Sequence, residues 1–181
     1  MNLLLREAGS SPFALRETLL KMIPDDKGIA EILGGINPDA DIAKGHALLE
    51  ILKKDPGQKK IIFTQYIKSL EYITNLLTRH GIPCEVFYGG MTAAEKDRAI
   101  ARFKDEAGVI VSTESGGEGR NLQFCNMIIN FDLPWNPMKI EQRIGRLHRI
   151  GQTRDVFVYN LSVKGTIEDY IIEILDSKIN M

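Results

Sequence analysis

The chain has 181 residues, enough for one domain with a real core but hardly for two. At 44% hydrophobic and 26% charged, it is too apolar for a disordered tail and too mixed for a coiled coil or a collagen-like fibre. Lys plus Arg number 23 and Asp plus Glu 24, a net charge of -1, so any polyanion site must come from a local cluster. The opening MNLLLREAG is too short an apolar run for a signal peptide, and no stretch approaches a membrane span, so a cytoplasmic protein is expected. To about Gly57 the sequence reads as helix and loop without a strand. Ser11 caps and Pro12 opens a helix with Leu15, Leu19 and Met22 on one face. Asp25 to Pro38, rich in Gly, Pro and Asp, reads as loop. A further helix follows, capped by Asp41, with Leu49 and Leu52 inward, ending near Asp55-Pro56-Gly57.

From Lys59 the pattern becomes strand, helix, strand, helix. Ile61 to Thr64 is a short buried strand, and the helix after it carries Leu70, Ile73 and Leu77 on one stripe, closed by Arg79, His80 and Gly81. Cys84 to Tyr88 is a second strand, and Thr92 and Glu95 have capping-box spacing for a helix to about Lys104. Val109 to Ser112, Met127 to Phe131 and Val156 to Leu161 are three more strands. Helices follow the last two, the final one opening at Thr166. Alternating apolar strands and helices predict an α/β fold, a mostly parallel sheet with helices on both faces plus an N-terminal helical extension. Ligands of such a sheet gather at the carboxyl ends of the strands. Cys84 and Cys125 read as buried reduced thiols. With no CxxC pair and only His46, His80 and His148, no metal site is expected.

Three stretches at strand ends are unusual. Thr64-Gln65-Tyr66 is polar, but a capped strand-to-helix turn explains it equally well. Ser112 to Asn121 holds Gly116, Gly117 and Gly119 directly after a strand, where backbone N–H groups can approach an anion closely; a plain turn is the alternative. It matches neither GxGxxG nor GxxxxGK[ST], and no Gly in the chain precedes a Lys. Asp105-Glu106-Ala107-Gly108 precedes a strand and so cannot be a strand-terminal magnesium-binding pair. The third stretch decides the reading. Asn136 caps and Pro137 opens a helix on which Gln142, Arg146 and Arg149 recur at i, i+4 and i+7, within about 60° of one another. Ile140, Ile144 and Leu147 form a stripe on roughly the opposite side. Lys139, Arg143, Arg146, Arg149 and Arg154 face one acid, Glu141. Paired arginines in register repel unless they share an anion, and their planar forks suit phosphate.

Ser112 to Leu122, Asp132-Leu133-Pro134-Trp135-Asn136-Pro137 and Gln142 through Gln152 resemble motifs V and VI of superfamily-two helicases. The ending His148-Arg149-Ile150-Gly151-Gln152, with Trp-Asn-Pro upstream, is similar to the Swi/Snf family of DNA translocases, and the wording is that of bacterial members, including one associated with RNA polymerase. Ile61 to Tyr66 fits motif IV. The resemblance covers about Lys59 to Lys178 and implies a second RecA-like lobe over 58–181, with 1–57 a helical linker or protrusion. It implies a partner N-terminal RecA-like lobe that binds most of the ATP with Mg2+, since this chain has no phosphate-binding loop. The chain, which stops inside an amphipathic helix, is expected to be cut from a longer one. Carried over by motif, Arg146 and Arg149 are arginine fingers, with Gln142, Gly117, Glu118 and Gly119 at the nucleotide. Gln65, Gly90, Thr113 and Trp135 are DNA-side residues, although Gly90 serves equally well as a turn glycine and Trp135 as a core anchor. Arg120 stands where eukaryotic remodellers tend to carry another residue, which leaves its role open. The implied partners are double-stranded DNA, the first lobe and RNA polymerase or another DNA-bound protein. The competing readings are a stand-alone DNA- or protein-binding module and a DEAD-box-type RNA helicase lobe.

Overall fold

The structure, a computed structural model, describes residues 2–37, 42–114, 122–136, 138–147 and 154–179. Five strands are present among them: β1 (Lys60–Thr64), β2 (Cys84–Phe87), β3 (Val109–Thr113), β4 (Met127–Asn130) and β5 (Phe157–Asn160). All pair in parallel, in the order β2-β3-β1-β4-β5. Each strand foreseen from the sequence is there, within a residue or so of its expected ends. Successive side chains of a strand point to opposite faces. Ile62, Val111, Met127 and Ile129 accordingly face one core, and Ile61, Phe63, Ile110 and Ile128 the other.

Eight helices flank the sheet among the described residues: α1 (Asn2–Ser10), α2 (Pro12–Met22), α3 (Lys27–Gly34), α4 (Ala43–Lys54), α5 (Ile67–Arg79), α6 (Ala93–Asp105), α7 (Met138–Leu147) and α8 (Ile167–Ile179). α4 and α5 cover the first face through Leu48, Leu49, Leu52, Ile73, Leu76 and Leu77. α6 covers the second with Ala99 and Phe103, joined there by Leu147 of α7. α5 ends as its sequence foretold: Gly81 takes φ +65°, the left-handed region, and Ile82 N–H donates to Leu77 O at 2.9 Å. α6 opens on a complete capping box, Thr92 and Glu95 each bonding the other's backbone N–H.

The N-terminal segment departs from expectation in three places. Asp25 to Pro38 is not all loop, because Asp26 accepts from Ile29 N–H at 3.1 Å and starts α3. α4 begins after Ile42, which caps it without a side-chain bond; Asp41 lies outside the described residues. On α2 the buried residue is Ala14, while Met22, expected inward, is exposed. That helix packs through its first turn, where Phe13 stacks on Tyr72 at 4.8 Å. No described helix is long and apolar enough to cross a membrane.

Candidate nucleotide and nucleic-acid edge

The carboxyl ends of β1, β3 and β4 meet at one edge, where Thr64 pairs in register with Thr113, and Phe63 with both Ser112 and Asn130. Asp132, two residues past β4, organises it. Its Oδ2 accepts from Ser10 Oγ at 2.8 Å and Thr64 Oγ1 at 2.6 Å, and its Oδ1 from Gln65 N–H at 2.8 Å. Three donors on a buried carboxylate satisfy it within the chain. Ser10 also bonds Ser69 at 2.7 Å, tying α1 to α5 across the same point.

The predicted site residues fall as follows. Gln65 has both ends of its amide engaged: Oε1 accepts from Arg6 Nη2 at 2.8 Å and Nε2 donates to Leu133 O at 2.9 Å. Thr113 ends β3, buried beside Thr64. Gly90 lies in the exposed turn after β2, where an added Cβ would come 2.9 Å from the Tyr88 ring. Trp135 is 52% exposed, so it is not a core anchor. Gly117, Glu118, Gly119 and Arg149 lie outside the described residues, as does Pro137.

On α7, opened by Asn136 Oδ1 accepting from Met138 N–H at 3.0 Å, Gln142 is exposed and Arg146 half-buried. Ile140 and Leu147 are buried, as the periodicity requires. Arg143 is the surprise. Counted from the sequence as one of five basic residues, it is 1% exposed, with Nε and Nη2 on the two oxygens of Glu114 at 3.0 and 3.2 Å. Nη1 donates to Asn130 Oδ1 at 2.6 Å. Lys139 Nζ lies 3.6 Å from Glu114 Oε2, and Arg154 donates to Phe124 O at 2.8 Å. The basic cluster is thus partly neutralised from within. Spacing carried the signal for Arg143, which stands three residues after Ile140 and four before Leu147, on the apolar stripe.

Glu114 and Asp132, the carboxylates at this edge, are saturated with the chain's own donors and do not fit a magnesium ion. Among the described residues no three His, Cys, Asp or Glu side chains cluster to hold a metal. Cys84 and Cys125 are free thiols, and burial raises both, Cys125 to about 11. Cys125 Sγ donates to Lys59 O at 3.0 Å. Asp105 closes α6, Glu106 caps it and β3 begins at Val109, so the acidic pair stands at a helix end before a strand.

A five-stranded parallel sheet with this edge and a following arginine-bearing helix is a RecA-like lobe. The chain belongs to the helicase conserved C-terminal domain family, whose model matches residues 43–151. It is 41% identical over 185 residues to the uncharacterized ATP-dependent helicase YqhH of Bacillus subtilis (strain 168), covering 97% of this chain and 33% of that protein. It is 42% identical over 137 residues to the RNA polymerase-associated protein RapA of Vibrio parahaemolyticus, covering 74% of this chain and 14% of RapA. Among solved structures, the Sulfolobus solfataricus SWI2/SNF2 ATPase core in complex with double-stranded DNA superposes with a TM-score of 0.66 at 30% identity, covering 89% of this chain and 36% of that one. The E. coli DEAD-box protein SrmB also superposes, with a TM-score of 0.60 at 26% identity, covering 65% of this chain and 69% of that one. The chain spans a third or less of the length of these curated relatives.

Proposed function

We propose that this chain is the second motor lobe of an ATP-dependent, Swi/Snf-type DNA translocase, working in the cytoplasm and inactive without a first lobe. Residues 58–181 carry the lobe's sheet, and residues 1–57 lead into it, with α4 packed on its first face. One observation carries the reading: α7, tied to the end of β4 through Arg143 and Asn130, buries Ile140, Arg143 and Leu147 while leaving Gln142 exposed and Arg146 half-buried. With Arg149, three residues on in the sequence, Arg146 reaches a γ-phosphate held by the other lobe when the two close. Two guanidiniums placed beside a transferring phosphoryl group stabilise its charge, an effect worth about 10³–10⁵ in rate. Magnesium, held by the partner lobe, neutralises phosphate charge when bound. Gln142, Gly117, Glu118 and Gly119 line the nucleotide side. Thr113, Gly90, Trp135 and Gln65 line the DNA side, Gln65 after exchanging its bonds to Arg6 and Leu133. Phosphate-backbone contacts make DNA binding sequence-independent and salt-sensitive. RapA's name makes RNA polymerase the first protein partner to test.

The test is ATP turnover by the two-lobe protein with and without duplex DNA. Duplex DNA stimulates it, single-stranded RNA does not, and the 181-residue chain alone turns over none. Arg146→Ala and Arg149→Ala each lower kcat by about 10³-fold or more. Wild-type turnover in the double variant overturns the assignment.

A further inference from the structure

Arg143 is among the largest fully buried side chains of the described residues, and it is a cation. Burying a guanidinium is costly unless its charge and its donors are matched. Here they are: both Glu114 oxygens on one side of the fork, Asn130 Oδ1 on the other, Asp132 O at 3.5 Å, and the Phe63 ring beneath it at 4.8 Å. Asn130 is itself held, its Nδ2 donating to Asn160 Oδ1 at 2.7 Å. Stability alone does not account for such a group, because an apolar side chain of similar volume commonly serves a core as well or better.

What the guanidinium joins is more telling. Glu114 is the residue immediately before the glycine-bearing segment 115–121, Asn130 ends β4, and Arg143 stands one turn before Arg146 on α7. A planar fork with two bonds to one carboxylate fixes orientation as well as distance, which an ammonium cannot do. We propose that Arg143 is a positioning residue: by clamping Glu114 and Asn130 it holds the carboxyl ends of β3 and β4 and Arg146 of α7 in one fixed relation, so that the lobe presents that cation to the nucleotide at a set place. This rests on the reading of Arg146 as a finger. Arg143 itself, enclosed by the sheet edge, touches no substrate.

The experiment compares Arg143→Lys, Glu114→Gln and the double variant in the two-lobe protein with duplex DNA. In parallel, hydrogen exchange is measured on the same variants of the 181-residue chain. Misplacement of a reacting group predicts that each single variant loses about 10- to 100-fold in kcat. KM for ATP stays within about twofold, because the lost interaction acts in the transition state, and the double variant is no slower than the worse single. Backbone amides of Thr113 and Glu114 exchange faster while those of β2 do not change. Wild-type kcat in both single variants, a rise in KM alone, or additive losses in the double variant overturns the proposal. If the wild-type protein hydrolyses no ATP with duplex DNA, the motor reading falls; unchanged exchange at Thr113 and Glu114 in Glu114→Gln then overturns the clamp independently. Should Arg143→Lys not fold, Glu114→Gln carries both readouts.

Discussion

Several single residues have consequences that can be measured directly. Gly45 sits under Tyr72, whose Oη accepts from Ile42 N–H at 3.2 Å; a Cβ there would clash with that oxygen and lie 3.1 Å from Leu76 Cδ2. Gly45→Ala gains a little helix propensity but overpacks a rigid site, for a net loss of about 1–2 kcal/mol in urea denaturation. Tyr66 presents a second case. Its hydroxyl has no partner among the described residues, and burial pushes its pKa from the usual 10 up to about 12. The unfolded chain releases that proton near pH 10 while the folded chain keeps it, so stability falls as pH rises from about 10 to 12. Tyr66→Phe should flatten the stability curve over that window; an unchanged slope would place the alkaline loss elsewhere. A thiol reagent at pH 8 should label half-buried Cys84 slowly and Cys125 only on unfolding, because both thiols are raised by burial.

Among the elements, α4 and α8 are joined by a buried ion pair that no sequence pattern announced. Lys44 and Glu168, 4% and 3% exposed, meet at 2.7 Å, and Lys44 also donates to Phe131 O. Glu168 in turn accepts from Val163 N–H at 3.1 Å. Burial pulls its carboxyl upward, and the Lys44 charge works against that. Removing one partner strands the other, so Lys44→Met should cost about 3–5 kcal/mol, and Lys44→Met with Glu168→Leu distinctly less. Equal losses in single and double variants, followed by urea denaturation, would show that a stranded charge is not the source of the cost. α6 offers a smaller effect: Thr92→Ala removes half of its capping box and should cost about 1 kcal/mol. α7 shows how far periodicity reaches. Its inward stripe was legible and its spacing takes in Arg143, but the partners of that charge were not, because a pattern of apolar residues is silent about Glu114 and Asn130, which lie outside the helix.

For the whole molecule, the sheet and α4 form one core, since Leu48, Leu49, Ile51 and Leu52 pack with Ile62, Val111 and Met127. Four such side chains are worth about 1.5–3 kcal/mol each when buried, together a large part of the roughly 5–15 kcal/mol that holds a domain folded. A chain begun at residue 58 should therefore lack cooperative unfolding by circular dichroism, whereas the full chain unfolds in one step. The strands, their parallel pairing and the caps at Ser11 and Thr92 were open to reading beforehand because they depend on local propensity and on patterns within a few residues. So was the family, carried by an unbroken run of motif residues from Gln142 to Gln152. Hydrogen-bond partners distant in the chain were not: Ser10 on Asp132, Arg6 on Gln65, Lys44 on Glu168 and Arg143 on Glu114 all link separate elements. The order of residues decides which way a side chain faces along its own helix or strand. Which polar group it meets there is decided only when the elements pack, because a buried charge must take whichever partner the fold brings within reach.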